Sequence, residues 1–281
     1  ILTCDWSSDV CSSDLRELTW QGLLSGLRSQ GVKLLLVVAL ALLGSTLLAG
    51  SFSGRQPVTV ALDVGFSGLR MILLLMALFW VQELFTKDLE RKTLYFVLAY
   101  PITRQQYLFS RFTSAALLMA LAVLSVGGLL WAAIFYLGSS YQQVTPPALD
   151  SRIGFVLAGI WLDLIVVMAF SILVSTFSTT PFLPILMGLG FAMAARGLGP
   201  TLDYLRNNPL ADQQQASLLA PVLEYSYAWL PDLSRLDFRA WVLYNLPVNY
   251  LDFGYATLMA VAYALMALIS AGLVLQRRDL A

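Results

Sequence analysis

Residues 83–111 read E-L-F-T-K-D-L-E-R-K-T-L-Y-F-V-L-A-Y-P-I-T-R-Q-Q-Y-L-F-S-R and hold the densest cluster of charges in an otherwise apolar chain. We call this region the charged stretch. Long apolar segments flank it on both sides, and apolar segments of about 20 residues are typical of membrane-spanning helices. The charged stretch is therefore predicted to connect two such helices on one side of a membrane.

The first part of the charged stretch has the pattern of a short amphipathic helix. Asp88 and Lys92 stand four residues apart with the acid first, which is a favourable pair on a helix. Leu89 and Phe96 fall roughly on one face of that helix, as expected at a membrane surface. Pro101 ends it, because the residue before a proline is driven out of the helical conformation.

A second helix is predicted to begin immediately afterwards. Thr103 and Gln106 have the spacing of a capping box, in which each side chain bonds the other residue's backbone N–H. The helix is expected to run from Arg104 to about residue 137, which is roughly 51 Å at 1.5 Å per residue. Since the hydrocarbon core is only about 30 Å thick, the helix should extend beyond the membrane or break near Gly127 and Gly128. We favour an extension on the side of the charged stretch.

Composition places the chain in the membrane. Of its 281 residues, 58% are hydrophobic and 12% are charged, whereas soluble domains are about 45–50% apolar and about 25% charged. The predicted fold is an all-α integral membrane protein, with residues 16–281 as one domain. It has six transmembrane helices, a leading interfacial helix within residues 16–33, a helix in the charged stretch and a helical loop at residues 199–252. The spans are predicted at about residues 32–49, 69–85, 112–137, 153–177, 183–198 and 253–275.

The distribution of Lys and Arg predicts the orientation, because loops rich in these residues stay on the cytoplasmic side. Ten lie on the side of the charged stretch, namely Arg16, Arg28, Lys33, Lys87, Arg91, Lys92, Arg104, Arg111, Arg277 and Arg278. Four lie in short segments of the other side, namely Arg55, Arg70, Arg152 and Arg196. Both termini are therefore predicted to be cytoplasmic, and the loop of residues 199–252 to be external, with short helices on the membrane surface. The formal net charge of zero gives no indication of a nucleic-acid partner.

Residues 4–15 read C-D-W-S-S-D-V-C-S-S-D-L and resemble a short-read sequencing adapter translated in frame. We therefore expect residues 1–15 not to be native and exclude them from the fold. The rival interpretation is a disulfide or metal site formed by Cys4 and Cys11, but two cysteines alone are an unspecific signal. No metal site is predicted.

Two motifs lie within the charged stretch: L-E-R-x-T-L at residues 89–94 and L-x-x-P-x-T-R at residues 98–104, followed by Tyr107 and Arg111. Together they resemble the coupling segment of ABC-2 type permeases, the membrane subunits of ABC transporters. Lys92 departs from many such permeases, which have glycine at this position. Weaker likenesses are L-P-D-L-S-R-L at residues 230–236 and R-R-D-L at residues 277–280.

The resemblance implies a permease that works with a separate ABC ATPase and a second permease copy in a bacterial or archaeal cytoplasmic membrane. It implies no cofactor in this chain, since ATP and Mg²⁺ belong to the ATPase. The expected function is export of an unidentified substrate by alternating access. The residues expected to couple the permease to the ATPase are Asp88, Glu90, Arg91, Lys92, Thr93, Pro101 and Arg104. Arg104 has a second interpretation, as an anchor to lipid headgroups.

Asp163 is the one acid predicted to lie well inside a span, where a charge costs roughly 2.5–3.5 kcal/mol on insertion scales. We expect it to contact a serine or tyrosine of a neighbouring helix; the alternative is a contact with the substrate or a proton on the transport pathway. Small residues in span five, among them Gly188 and Gly190, favour a helix–helix interface over a pathway lining.

The sequence contains no G-x-x-x-x-G-K-[ST] phosphate loop, no H-E-x-x-H motif and no histidine, so the chain is not expected to be an enzyme by itself. Two other functions stay open. An ion-coupled secondary transporter is expected to have several buried ionisable groups or broken helices near the midplane. A non-transporting membrane scaffold is hardly excluded by the sequence.

Overall fold

The structure is a computed structural model that describes residues 19–28, 30–86, 103–140, 146–178, 180–207, 225 and 230–277. Within these ranges every regular element is helical. In chain order the helices are α1 (residues 19–28), α2 (Gln30–Phe52), α3 (Pro57–Val81), α4 (Arg104–Ser140), α5 (Arg152–Phe177), α6 (Leu183–Asn207), α7 (Arg239–Leu243) and α8 (Tyr250–Arg277). A π-helical turn, Gln82–Thr86, extends α3, and a 3₁₀ turn, Leu233–Leu236, precedes α7.

Six of these helices are long and apolar enough to cross a membrane: α2, α3 with its π-helical turn, α4, α5, α6 and α8. Helices are the expected form, because lipid offers no partners for backbone N–H and C=O groups and a helix satisfies them internally. The all-α integral membrane fold with six spans is thereby confirmed.

Helix α3 begins at Pro57, whereas the sequence places the start of the second span near residue 69. Proline suits the first turn of a helix, since its missing N–H would have no helical partner there. The first turns also hold Thr59, Asp63 and Ser67. These polar residues lower the local hydropathy, so the sequence does not reveal where the helix starts. Because α3 in fact begins at Pro57, Arg70 lies deep inside it and not near its end.

Helix α4 runs unbroken over 37 residues, which is about 55 Å. Its start confirms the capping box: the Thr103 N–H donates to Gln106 Oε1 at 3.0 Å, and the Gln106 N–H donates to Thr103 Oγ1 at 3.3 Å. The pair Gly127 and Gly128 does not break the helix. Gly127 instead makes room for the Leu157 side chain of α5.

Helix α5 lies at the centre of the bundle, packed against α3, α4, α6 and α8. Of the 18 most apolar consecutive residues of α5, 67% are buried inside the protein, whereas in the corresponding stretch of α2 only 17% are buried. Helix α2 exposes Leu36, Val37 and Leu40. It is therefore a peripheral helix, and α5 is the helix against which the others are positioned.

Helix α1 lies against the early turns of α4. Ser114 Oγ donates a hydrogen bond to the Thr19 carbonyl oxygen at 3.0 Å, and Gly22 and Gly26 allow α1 to approach Ser114 and Leu118 closely. The predicted interfacial helix is thus described as α1. Residues 1–18, with the adapter-like sequence, and residues 87–102, with the predicted amphipathic helix, lie outside the described residues.

Residues 230–249, which we call the inserted segment, reach between the spans. The sequence predicts short helices on the membrane surface here. Two short helices are present, the 3₁₀ turn and α7, but the side chains of Leu233, Leu236 and Val242 are fully buried. These three residues therefore lie in the bundle's interior at the end opposite the charged stretch, whereas residues 244–247 of the segment are exposed.

Two glycines of the spans make room for the inserted segment. A Cβ on Gly159 of α5 would lie 2.5 Å from the Leu236 carbonyl oxygen, and a Cβ on Gly199 of α6 would lie 2.5 Å from Ser234 Oγ. At Gly159 the neighbour is backbone, so no side chain fits there, whereas at Gly199 the neighbours are the side chains of Ser234 and Asp232. The absence of a side chain at these two positions therefore sets how closely the segment packs.

Gly159→Ala is expected to destabilise the protein by about 1–3 kcal/mol, because the added methyl group meets backbone that cannot rotate away. Gly154→Ala in the same helix is the matched control, since no atom lies within 4 Å of its Cβ position. Thermal unfolding of the detergent-solubilised protein measures both variants. Equal unfolding midpoints would contradict the packing of the inserted segment against α5.

Candidate functional site

Asp163 of α5 is fully buried and joins three spans. Its Oδ2 atom accepts a hydrogen bond from Arg70 Nε of α3 at 2.7 Å and another from Arg196 Nη2 of α6 at 2.6 Å. The side chain of Asp163 is 0% exposed, and those of Arg70 and Arg196 are 11% and 16% exposed. We call these three residues the buried ion cluster.

The buried ion cluster lies near the middle of the spans. Measured along the helices from the end opposite the charged stretch, Asp163 and Arg196 are each roughly 16 Å deep and Arg70 roughly 20 Å deep. Half of a hydrocarbon core is about 15 Å. Ionised groups at this depth are costly unless they are paired, which accounts for the short distances within the cluster.

The partners of Asp163 differ from those expected. The sequence favours a serine or tyrosine contact, whereas the contacts are made by two arginines. The sequence places Arg70 and Arg196 at the outer edges of the spans predicted at residues 69–85 and 183–198 and counts both with the far side, but α3 and α6 extend past those predicted limits. The longer helices bring both guanidinium groups to the depth of Asp163. An arginine at the edge of each predicted span is the signal that points to these two site residues.

A second row of charges continues from the buried ion cluster toward the end of the bundle opposite the charged stretch. Arg70 Nη1 lies 3.3 Å from Asp237 Oδ2, and Arg70 Nη2 donates to the Leu233 carbonyl oxygen at 3.0 Å. Arg239 binds both carboxylate oxygens of Asp237 and lies 3.2 Å from Asp63 of α3. Exposure rises from 11% for the Arg70 side chain to 57% for that of Asp63. The row therefore connects the interior with the surface.

Arginines on both sides determine the charge of Asp237. Burial alone would raise the pKa of its carboxyl group, but the hydrogen bonds from Arg239 and the positive charge of Arg70 outweigh burial and hold the pKa below the ordinary value of 3.8. Asp237 is therefore ionised at neutral pH. Its ion pairs attach the inserted segment to α3 through Arg70.

Two polar atoms of the buried ion cluster have no hydrogen-bond partner within the described part of the chain: Asp163 Oδ1 and Arg196 Nε. Buried polar atoms are nearly always paired in folded proteins. The cluster also holds two positive charges and one negative charge. It therefore has unused capacity to bind a further group.

At the other end of the bundle, Arg104 fastens α4 to α8. Arg104 Nη1 donates to the carbonyl oxygens of Leu275 and Gln276 at 2.9 Å and 3.3 Å. The last carbonyl groups of a helix have no partner within it and carry partial negative charge, so Arg104 caps α8. The other residues predicted to couple to an ATPase lie outside the described residues, namely Asp88, Glu90, Arg91, Lys92, Thr93 and Pro101.

Hydroxyl groups at this end tie α5 to its neighbours. Ser171 Oγ donates to the Pro184 carbonyl oxygen of α6 at 3.1 Å, and the hydroxyl oxygens of Thr86 and Ser175 lie 3.2 Å apart. Gly188 of α6 packs against Ser171, in agreement with the helix-interface interpretation of the small residues. Within the described ranges, no group of three His, Cys, Asp or Glu side chains is placed to hold a metal ion.

Asp163→Asn is expected to destabilise the protein by about 3–5 kcal/mol, because among the described residues Arg196 then lacks a counter-ion and Arg70 keeps only Asp237. Adding Arg196→Gln should recover part of this loss, since the double variant returns to a single excess positive charge. Unfolding in detergent compares the two single variants with the double variant. Strictly additive losses would contradict a shared ion pair.

Acidification is expected to loosen the inserted segment. Because the pKa of Asp237 is lowered in the folded protein, its stabilising contribution is complete above 3.8 and is lost as the pH falls through the lowered value. The difference in unfolding midpoint between the wild type and Asp237→Asn should therefore shrink between about pH 7 and about pH 3. Asp252→Asn, at the exposed start of α8, is the control. A difference that stays constant over this range for Asp237→Asn would refute the role of this carboxylate.

Comparison with known protein families confirms the resemblance carried by the charged stretch. Residues 29–280 match the family described as ABC-2 family transporter protein. Among curated proteins, no significant match occurs. The matched region contains the six candidate spans, the charged stretch and the inserted segment. Such permeases are membrane-embedded transport components and are not themselves catalytic. The chain belongs to the ABC-2 family of transporter proteins and is a multi-pass permease of an ABC-type transporter.

Proposed function

We propose that this permease is the membrane half of an ATP-driven exporter that moves its substrate by alternating access. A separate ABC ATPase binds ATP with Mg²⁺ and docks on the charged stretch. The observation that carries the proposal is the connection at this end of the bundle. Helix α4 begins within the charged stretch, and Arg104 in its first turn is hydrogen-bonded to the last turn of α8.

Force applied at the charged stretch reaches two spans at once. Helix α4 is a continuous rod of 37 residues, and continuous packed elements move as rigid bodies in most domain-scale transitions. Because Arg104 joins α4 to the carbonyl oxygens of α8, the two helices move together. ATPase closure then tilts this pair relative to the central helix α5.

Within the charged stretch, Glu90, Arg91 and Lys92 are proposed to contact the ATPase. We propose that the amphipathic helix predicted from the sequence presents them to the ATPase, with Asp88, Thr93 and Pro101 as further members of the coupling site. The hydrogen bonds of Arg104 favour a role in transmission over a role in anchoring to headgroups.

Alternating access requires, besides transmission of force from the ATPase, a gate at the opposite end of the bundle that can open. Buried residues of the inserted segment lie at this end, and the ion pairs of Arg70 and Arg239 hold them there. We propose that this arrangement is the closed one. Separation of Arg70 from Asp237 and from the Leu233 carbonyl oxygen is what an outward-opening step requires.

The excess of Lys and Arg around the charged stretch supports a cytoplasmic location for that end and for both termini. Of the four cations counted on the other side, Arg70 and Arg196 lie near the middle of α3 and α6, whereas Arg55 precedes α3 and Arg152 begins α5, so only these two lie at the surface end. The asymmetry is thus stronger than the sequence count indicates. We place the protein in a bacterial or archaeal cytoplasmic membrane and pair it with a second permease copy, to which the exposed apolar side of α2 is available.

A second candidate function is ion-coupled secondary transport. That hypothesis predicts several buried ionisable groups near the midplane, and Arg70 and Arg196 join Asp163 at that depth. A non-transporting scaffold is the third. Dependence of transport on a bound ATPase separates all three functions.

Replacing Glu90, Arg91 and Lys92 together by alanine is expected to abolish capture of the ATPase. Exposed charges at a protein interface position the partner, and removing three of them leaves little to hold a transient complex. The measurement is a pull-down from detergent-solubilised host membranes with residues 16–281 as bait, followed by identification of co-purified ATPases.

The matched control is Arg28→Ala with Lys33→Ala, which removes charges on the same side of the membrane but outside the charged stretch. The control should retain the ATPase. If folded wild-type protein brings down no ATPase, the exporter proposal fails. If the triple variant still brings it down, docking is assigned to the wrong residues.

A further inference from the structure

We propose that the buried ion cluster is the binding site for an anionic group of the transported substrate, and that Asp237 of the inserted segment occupies this site when it is empty of substrate. The proposal rests on the transport function argued above, since it assigns the substrate's chemistry. The group is a carboxylate, sulfate or phosphate, either free or carried on an amphiphile.

The first argument is the charge of the buried ion cluster. Arg70 and Arg196 contribute two positive charges and Asp163 one negative charge, so one positive charge remains. In a low-dielectric interior an uncompensated charge is expensive. In the closed arrangement Asp237 supplies the missing negative charge, with its Oδ2 atom 3.3 Å from Arg70 Nη1.

The second argument is that Asp237, which compensates the excess positive charge of the cluster, can move away from it. Asp237 belongs to the inserted segment, whereas the buried ion cluster belongs to α3, α5 and α6. When the segment withdraws, Arg70 loses both Asp237 and the Leu233 carbonyl oxygen. Two adjacent N–H groups of one guanidinium are then free. Such a pair of donors matches the two oxygen atoms of a carboxylate or phosphate.

The third argument is the unfilled hydrogen-bonding capacity of the cluster itself. Within the described ranges Arg196 Nε has no acceptor, although its Nη2 is bound to Asp163. Asp163 Oδ1 has no donor and is completely buried. An anionic group that also carries a hydroxyl or a protonated oxygen can bind both of these unpartnered atoms. Its anionic oxygen accepts a hydrogen bond from Arg196 Nε, and its O–H donates one to Asp163 Oδ1.

The fourth argument is the route to the site. The buried ion cluster lies midway along α3, α5 and α6, and the row formed by Asp237, Arg239 and Asp63 leads from it to the surface. The same row holds the inserted segment closed. An incoming anion therefore competes with Asp237 for Arg70, and this competition links occupancy of the site to release of the segment.

The test is anion binding to the full permease chain in phosphatidylcholine nanodiscs, measured by isothermal titration calorimetry without ATP or ATPase. The probes are inorganic phosphate, butyl phosphate and the cation butyltrimethylammonium. We expect phosphate or butyl phosphate to bind and the cation not to bind. Binding of both phosphates indicates a free anion as cargo, and binding of butyl phosphate alone indicates an amphiphile.

Three variants distinguish a binding role from a merely structural one. Asp237→Asn removes the competing carboxylate and should raise anion affinity by about tenfold, whereas Arg196→Gln should lower it by about tenfold or more, as expected for one hydrogen bond to a charged group. Arg196→Lys, which keeps the charge, should retain binding if the glutamine variant fails to fold. Asp252→Asn and Arg55→Gln, both exposed near the same end of the bundle, are controls and should leave affinity unchanged.

Anion binding that is absent from both the wild type and Asp237→Asn would overturn the proposal. So would an affinity that Asp237→Asn leaves unchanged or lowers. Because the measurement needs no ATPase, a negative result leaves the docking experiment untouched, and a failed pull-down leaves the anion measurement valid.

Discussion

An ionised carboxylate in the middle of a membrane protein is stable only when positive charges meet it directly, and Asp163 meets two. One of its two carboxylate oxygens, Oδ2, lies at hydrogen-bonding distance from both Arg70 and Arg196. These contacts fix the relative positions of α3, α5 and α6. Apolar helix contacts alone specify position weakly in lipid, since lipid is as apolar as the side chains. The ion pairs therefore supply positional specificity that the hydrophobic surfaces of the spans do not. They also create the excess positive charge that draws the inserted segment into the bundle.

The two ends of the bundle are held by different kinds of interaction. Among the described residues at the end near the charged stretch, the contacts are hydrogen bonds to hydroxyl and carbonyl oxygens: the hydroxyl contact of Thr86 with Ser175, the Ser171 bond to a backbone carbonyl, and the cap that Arg104 places on α8. At the opposite end, ion pairs hold the inserted segment. Hydrogen bonds between long, packed helices suit transmission of movement. Ion pairs that become more exposed toward the surface can exchange their partners for water or for another anion, which suits an end that opens.

Much of the fold is legible in the sequence because membrane-spanning helices are long, apolar and bounded by charge. The count of six spans, the capping box at Thr103 and the family resemblance all follow from local patterns. The buried ion cluster does not. Its members lie far apart in the chain, and polar residues after Pro57 conceal how early α3 begins, so Arg70 looks like a residue at the outer edge of its span. Only the packing of α3 and α6 on α5 reveals that two arginines and an aspartate share one depth. The burial of Leu233 and Leu236 cannot be predicted from the sequence either. An amphipathic pattern does not distinguish a helix on the membrane surface from one that packs between spans against their glycines.

The account depends on the packing of the inserted segment inside the bundle against α6. Cysteine cross-linking in native membranes tests this packing most directly. In a background with Cys4→Ser and Cys11→Ser, the pair Gly199→Cys and Ser234→Cys should form a disulfide under mild oxidation. A Cβ at position 199 lies 2.5 Å from Ser234 Oγ, the atom that the sulfur of Ser234→Cys replaces, so the two cysteines are within bonding reach after a small adjustment of their side chains. The control pair uses Gly197→Cys with Ser234→Cys, since the Cβ position of Gly197 has no atom within 4 Å. Cross-linking of the first pair and not the second is the predicted result. No cross-link at position 199, or equal cross-linking of both pairs, would contradict the account.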